Sequence, residues 1–151
     1  MEEQKSGFRE IAKKAIIQPK ESLVEVTKKS GGLKIGVPKE TAHQERRIGL
    51  SPQAVQLLTA YGHEVIMETG AGGNAKFSDH DYSESGAQIV DDTRQVFQCP
   101  IVMKVAFPTR DEIEMMSHGQ ILMSALHVPL LDKHCLDLLM KKKVTALGFE
   151  L

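Results

Sequence analysis

From residue 33 onward the spacing of apolar positions switches period repeatedly. Leu33, Ile35 and Val37 alternate as they do along a half-buried strand, and Pro38 stops the run. Ser51-Pro52 offers an N-cap followed by proline at the first helical position, and Ala54, Val55, Leu57, Leu58 and Tyr61 then recur at helical spacing up to Gly62. Residues 64–68 read as a second strand. Ser78, with Asp81 three residues on, predicts a short capped helix closed by Gly86, and residues 88–90 a third strand. Asp91 is expected to cap a helix holding Val96 and Phe97, and residues 101–105 to form a fourth strand. Thr109-x-x-Glu112 has the form of a capping box, and residues 120–126 read as a fifth strand. A helix over about 130–142 ends in three lysines, which suit the negative end of its dipole. Residues 144–147 complete a sixth strand.

Strands alternating with helices of this length imply parallel βαβ units with right-handed crossovers. The expected fold class is therefore α/β: a doubly wound, mostly parallel sheet of about six strands, flavodoxin-like or Rossmann-like. Ligands of such sheets bind beyond the carboxyl ends of the strands, which directs attention to the loops after Val37, Glu68, Val90, Val105 and Leu126. Residues 1–33 have a different character. Phe8, Ile11, Ala12, Ala15 and Ile16 recur at helical spacing, Pro19 breaks the pattern, and Leu23, Val24 and Val26 suggest a second short helix before Gly31-Gly32. This region is expected to be a helical extension lying on the adjoining domain, residues 34–151, or on a neighbouring subunit.

Composition narrows the functional classes. With 41% hydrophobic residues among 151, the chain can bury a core, which excludes a disordered tail. Nineteen basic residues against twenty acidic ones leave no field that attracts phosphate, and the 5% aromatic content includes no Trp, so no nucleic acid is expected as a partner. The most apolar stretch, 121–131, is interrupted by Ser124, His127 and Pro129, so no direct membrane insertion is expected. The N-terminus lacks the apolar core of a secretory signal. Cys99 and Cys135 lie far apart in apolar surroundings and read as two buried thiols rather than a metal pair, giving a cytoplasmic globular domain with no metal site.

Gly70-Ala71-Gly72-Gly73-Asn74-Ala75 matches G-x-G-x-x-A after a strand. A pyrophosphate needs the N-terminus of a long helix packed on the sheet, whereas these glycines lead into a loop and a short, separately capped helix. They are therefore read as a tight turn, and no cofactor-binding residue is assigned.

Three blocks together are more specific. Ile35-Gly36-Val37-Pro38-Lys39-Glu40-Thr41 leads to Glu45-Arg46-Arg47-Ile48-Gly49-Leu50-Ser51-Pro52, and Gly62-His63-Glu64-Val65 leads to Glu68-Thr69-Gly70-Ala71-Gly72. Val102-Met103-Lys104-Val105 precedes His118-Gly119-Gln120-Ile121-Leu122-Met123-Ser124-Ala125-Leu126-His127. In order and spacing these resemble the N-terminal domain shared by alanine dehydrogenases and the α subunit of NAD(P) transhydrogenases. The resemblance covers about residues 34–151. It implies an NAD-dependent oxidoreductase converting L-alanine, NAD and water to pyruvate, ammonium and NADH. The cofactor, NAD or NADP, would be bound mainly by a second domain, placed C-terminal to this one in the family; the chain is expected to be a domain-only piece, inactive alone. A small amino acid or 2-oxo acid is the implied substrate, and a homo-oligomer the implied assembly.

Oxidative deamination needs a fixed cation for the substrate carboxylate, a proton-handling group, and a further donor to hold the substrate for hydride transfer. By the resemblance, Arg47 is the carboxylate-binding arginine and His127 the acid/base histidine; the other five histidines are expected at the surface or in caps. Alanine dehydrogenases typically read Lys-Val-Lys-Glu-Pro at the end of the fourth strand, and the second lysine contacts substrate. Here the stretch is Lys104-Val105-Ala106-Phe107-Pro108, so Ala106 stands where that lysine would be. Residues 104 and 106 share a strand face about 6.6 Å apart at roughly 3.3 Å per residue. Lys104 is therefore expected to lean into the vacated space as a substrate-binding residue. The loss of the lysine is shared with the transhydrogenases, which exchange hydride between two nicotinamide cofactors together with membrane subunits; a domain of that kind is the alternative. A non-catalytic carboxylate-binding or assembly domain is the alternative outside enzymes.

Overall fold

The computed structural model describes residues 31–127 and 132–149. The helical periodicity of residues 8–26 and the first residues of the expected last helix lie outside that range. Six strands are present, β1 Lys34–Val37, β2 Glu64–Glu68, β3 Gln88–Val90, β4 Ile101–Met103, β5 Ile121–Ser124 and β6 Thr145–Gly148. They form one parallel sheet in the order β3-β2-β1-β4-β5-β6. This is the Rossmann order rather than the flavodoxin one. The helices among the described residues are α1 Pro52–Ala60, α2 Asp79–Glu84, α3 Thr93–Phe97, α4 Arg110–Met115 and α5 Lys133–Lys141.

The helix starts follow from their caps. Ser51 Oγ accepts the Ala54 N–H ahead of α1, and Ser78/Asp81 and Thr109/Glu112 both close reciprocal capping boxes at α2 and α4. One cap falls a residue later than expected. Asp92, not Asp91, accepts the Arg94 N–H at 2.9 Å, because the Asp91 carboxylate takes the Thr69 hydroxyl at 2.6 Å across the end of the sheet. The fourth strand also stops early, at Met103. Beyond it the Val105 N–H turns to a side chain, the Glu40 carboxylate at 2.5 Å.

Alternation along the strands sorts the core into two layers. Ile35, Val37, Val65 and Met67 face Val55 of α1 and Tyr82 of α2 on one side. Val102 and Leu122 face Phe97, Ile113, Met116, Cys135 and Leu139 on the other, where Ile66 and Val90 also meet Val96 and Cys99. Helices thus cover both faces. Both cysteines are buried free thiols, and burial pushes each above its usual pKa.

Gly36 sets the spacing of one layer. A Cβ there would lie 2.2 Å from the Val96 carbonyl oxygen, so the backbone of α3 rests directly on β1. Gly36→Ala is expected to cost about 2–3 kcal/mol through overpacking against backbone. A urea melt indistinguishable from the parent would contradict that close approach.

The strand order has one consequence for function. The chain leaves β1 toward β2 and later enters β4 on the opposite side, so the crevice between the carboxyl ends of β1 and β4 is the topological switch point. No helix among the described residues is long and apolar enough to cross a membrane.

Candidate functional site at the carboxyl rim

Two loops flank the switch point, residues 38–51 after β1 and 104–109 after β4. Their backbones are stitched together by buried side chains. Glu40 accepts the N–H groups of Val105 at 2.5 Å and Ala106 at 3.3 Å. Burial raises the pKa of its carboxyl; those two N–H groups and the positive charge of Lys104 pull the other way without cancelling the effect. Beside it, Lys104 Nζ donates to both Glu112 oxygens at 2.7 and 2.9 Å and to Thr41 Oγ1 at 3.3 Å, and Thr41 in turn donates to Glu112 at 3.1 Å. The Lys104 side chain has no solvent exposure, and Glu112 has 8%.

An ammonium has three N–H donors, and all three find acceptors here. Lys104, expected to lean toward the position vacated at Ala106, points instead into the protein. Parity along the strand is not what decides its direction. A buried carboxylate eight residues on, already receiving the Thr109 N–H at 2.7 Å, needs a counter-charge, and Lys104 provides it.

Arg47 lies on the first loop, outward. Its Nε–H donates to Glu45 Oε1 at 2.9 Å and an Nη2–H to Glu45 Oε2 at 2.7 Å, while its backbone N–H reaches Oε1 at 2.9 Å. These bonds hold the Glu45 carboxyl down at about 2. Arg47 also feels the charge of Glu40, and Glu40 that of Glu45, so the three groups form one electrostatic cluster. The loop is fixed at both ends. Asn74 donates to the Glu45 carbonyl at 3.3 Å, and the buried Tyr82 hydroxyl donates to the Leu50 carbonyl at 2.8 Å. Gly49 lies against Met103, the last residue of β4, where an added Cβ would meet the Met103 side chain at 3.1 Å.

His127 lies beyond β5 at the same rim. Ala125, two residues earlier, donates to the Val105 carbonyl at 3.0 Å, which ties this segment to the β4 loop. His127 is exposed and has φ +41°, a left-handed conformation uncommon for residues other than glycine and found often at functional sites. Arg47 follows β1 and His127 follows β5, so both loops leave the carboxyl rim of the sheet, and each is tied to the β4 loop, one through Glu40 and the other through Ala125.

Several backbone N–H groups of the glycine loop already have partners within the protein. The Gly70 N–H is held by Asp79 at 2.8 Å, and those of Ala71, Gly73 and Ala75 by carbonyls of the loop itself. The loop closes on a single turn, Gly73–Ala75, rather than on a helix of useful length. It instead buttresses residue 45. No group of three or more His, Cys, Asp or Glu among the described residues is arranged to hold a metal ion.

Glu40, Thr41, Glu45 and Glu112 were not singled out for the site by sequence reasoning. Glu112 showed only its capping role, and Glu40 lay in a motif block without a partner, because the amides it binds come 65 and 66 residues later.

A six-stranded parallel sheet in this order, with helices on both faces, is a Rossmann-like α/β domain. Residues 36–151 match the family described as alanine dehydrogenase/PNT, N-terminal domain, and the chain belongs to it. It is 39% identical over 118 residues to an alanine dehydrogenase of Staphylococcus epidermidis, a match that covers 78% of this chain and 32% of that protein. An alanine dehydrogenase 2 of Staphylococcus aureus is 37% identical over the same shares. Among solved structures, an L-alanine dehydrogenase superposes with a TM-score of 0.75 at 39% identity, covering 78% of this chain and 32% of that one. A transhydrogenase from Sinorhizobium meliloti superposes at 0.68 with 22% identity over 76% and 33%, which shows a shared fold. The chain spans about a third of the length of the curated relatives it matches.

Proposed function

We propose that this chain is the substrate-side domain of an NAD-dependent alanine dehydrogenase-like oxidoreductase. The observation that carries the reading is the Arg47 guanidinium, 74% exposed beside the switch point of a domain whose relatives are alanine dehydrogenases. A planar cation of this kind grips a short carboxylate through paired N–H bonds. His127 takes or returns the proton as amine becomes imine and then carbonyl. Lys104 acts through the loop it anchors, since its donors are committed to Glu112 and Thr41. The nicotinamide cofactor, NAD or NADP, is held mainly by a domain other than residues 34–151, a reading supported by the Gly70, Ala71, Gly73 and Ala75 N–H groups of the glycine loop already having partners. The reading includes a homo-oligomer, supported by exposed Leu57 on α1, Tyr61 just past its end, and Leu136 and Met140 on α5, and a reducing, cytoplasmic setting, supported by the two unpaired thiols. Residues 34–151 alone are inactive on this reading.

Ala106 favours a second reading, a transhydrogenase-like domain that works beside membrane subunits and handles no amino acid. Saturation-transfer NMR on the whole chain separates the two. Transfer to pyruvate that is abolished by Arg47→Ala supports the alanine dehydrogenase-like reading. Transfer to pyruvate that Arg47→Ala leaves unchanged, or no transfer at all, contradicts it and favours the transhydrogenase-like or the assembly reading. Restoring the family lysine offers a further test. Ala106→Lys adds a charged donor beside a backbone already pinned by Glu40 and is expected to tighten pyruvate binding about tenfold, as one charged hydrogen bond allows. Unchanged or weaker binding contradicts a substrate seat at residue 106.

A further inference from the structure

The Arg47–Glu45 pair is asymmetric in two ways. The first concerns which edge of the guanidinium is used. Of its five N–H donors, Glu45 engages the Nε–H and one on Nη2, the side-on edge. The end-on edge, made of Nη1 and the remaining Nη2 hydrogen, has no hydrogen-bond partner among the described residues. The second concerns which member is fixed. The Glu45 side chain is 13% exposed and that of Arg47 is 74% exposed. Glu45 is anchored further: its carbonyl holds the Asn74 amide, and its carboxylate also takes the Arg47 backbone N–H. An exposed ion pair adds little to folding stability, so stabilising the loop is not a sufficient account of this arrangement. It does restrict a long side chain that would otherwise sample many rotamers, and ordering such a side chain in advance lowers the cost of binding.

We propose that Glu45 is a positioning residue that splints the side-on edge of Arg47 and so presents the end-on edge to the carboxylate of a 2-oxo or 2-amino acid. The inference rests on Arg47 being the carboxylate-binding residue. Glu45 does not touch substrate. It determines where the guanidinium plane lies, and the neighbouring charge of Glu40 determines how much net positive charge the site shows to an anion.

The test is a titration of the whole chain with pyruvate, followed by NMR, in the parent, Glu45→Ala, Glu45→Gln, Arg47→Ala and the double variant Glu45→Ala/Arg47→Ala. Glu45→Ala is expected to weaken binding about three- to tenfold, the cost of ordering one long side chain at the moment of binding. Its thermal midpoint is expected to stay unchanged and its Arg47 Nε–H to exchange faster with water. Glu45→Gln retains one acceptor oxygen and is expected to recover part of the loss. On the Arg47→Ala background, removing Glu45 is expected to change nothing further. Tighter binding in Glu45→Ala overturns the proposal, because Glu45 would then be a competitor seated where the substrate goes. An equal loss on the Arg47→Ala background also overturns it, as a general structural effect. A parent chain that binds no pyruvate instead contradicts the role given to Arg47 itself, and the Nε–H exchange rate still reports whether Glu45 holds the guanidinium.

Discussion

Lys104→Met is expected to lower the stability of the domain by about 3–5 kcal/mol, the range for removing one partner of a buried ion pair. The Glu112 carboxylate would keep the Thr109 N–H and the Thr41 hydroxyl but lose the Lys104 counter-charge in a site 8% exposed. Domains of this size are stable by only about 5–15 kcal/mol, so a large fraction of the protein would unfold under mild urea. The matching double variant, Lys104→Met with Glu112→Gln, removes both charges and keeps an acceptor for the Thr109 N–H. It is expected to return to within about 2 kcal/mol of the parent, since a buried pair adds little over a neutral replacement. Urea titrations followed by circular dichroism measure both. A loss below about 1 kcal/mol in the single variant, the range of an exposed pair, would mean that water reaches Glu112.

Arg47→Ala is expected to act on binding and leave folding alone. The side chain is mostly solvent-exposed, and its ionic partner, Glu45, becomes solvated when it is lost. Losing two charge-assisted hydrogen bonds to a carboxylate is expected to weaken pyruvate binding by about thirtyfold or more, at roughly 1.5–3 kcal/mol for a bond to a charged group. Arg47→Lys keeps the charge but not the planar fork, and is expected to recover only part of that loss. Isothermal titration of the three proteins checks this. Equal affinity in Arg47→Ala would remove the basis for reading this rim as a carboxylate site.

What could be read in advance was local. Each strand and helix announces itself by apolar period and cap chemistry, so Ser51, Ser78 and Thr109 mark their helices correctly from the sequence. The misses come from contacts distant in sequence. Asp91 and Asp92 are equally good caps by type, and only the Thr69 hydroxyl on the neighbouring strand's loop decides between them. Strand parity places Lys104 on the face of residue 106 but says nothing of the carboxylate waiting on α4. The fourth strand ends where Glu40, 65 residues earlier, captures the Val105 amide. At the rim, the resemblance picked out Arg47 and His127, whereas the residues that hold their loops in place carry no pattern of their own. A side chain that binds backbone amides leaves no periodicity in the sequence.

The central claim is that Arg47 and His127 serve one small carboxylate at the same rim. Chemical-shift mapping of the isotope-labelled whole chain against pyruvate tests it most directly, monitoring the Arg47 Nε–H and the His127 ring. Both signals are expected to move saturably and to fit a single dissociation constant. Movement of one without the other, or of neither, would contradict the account.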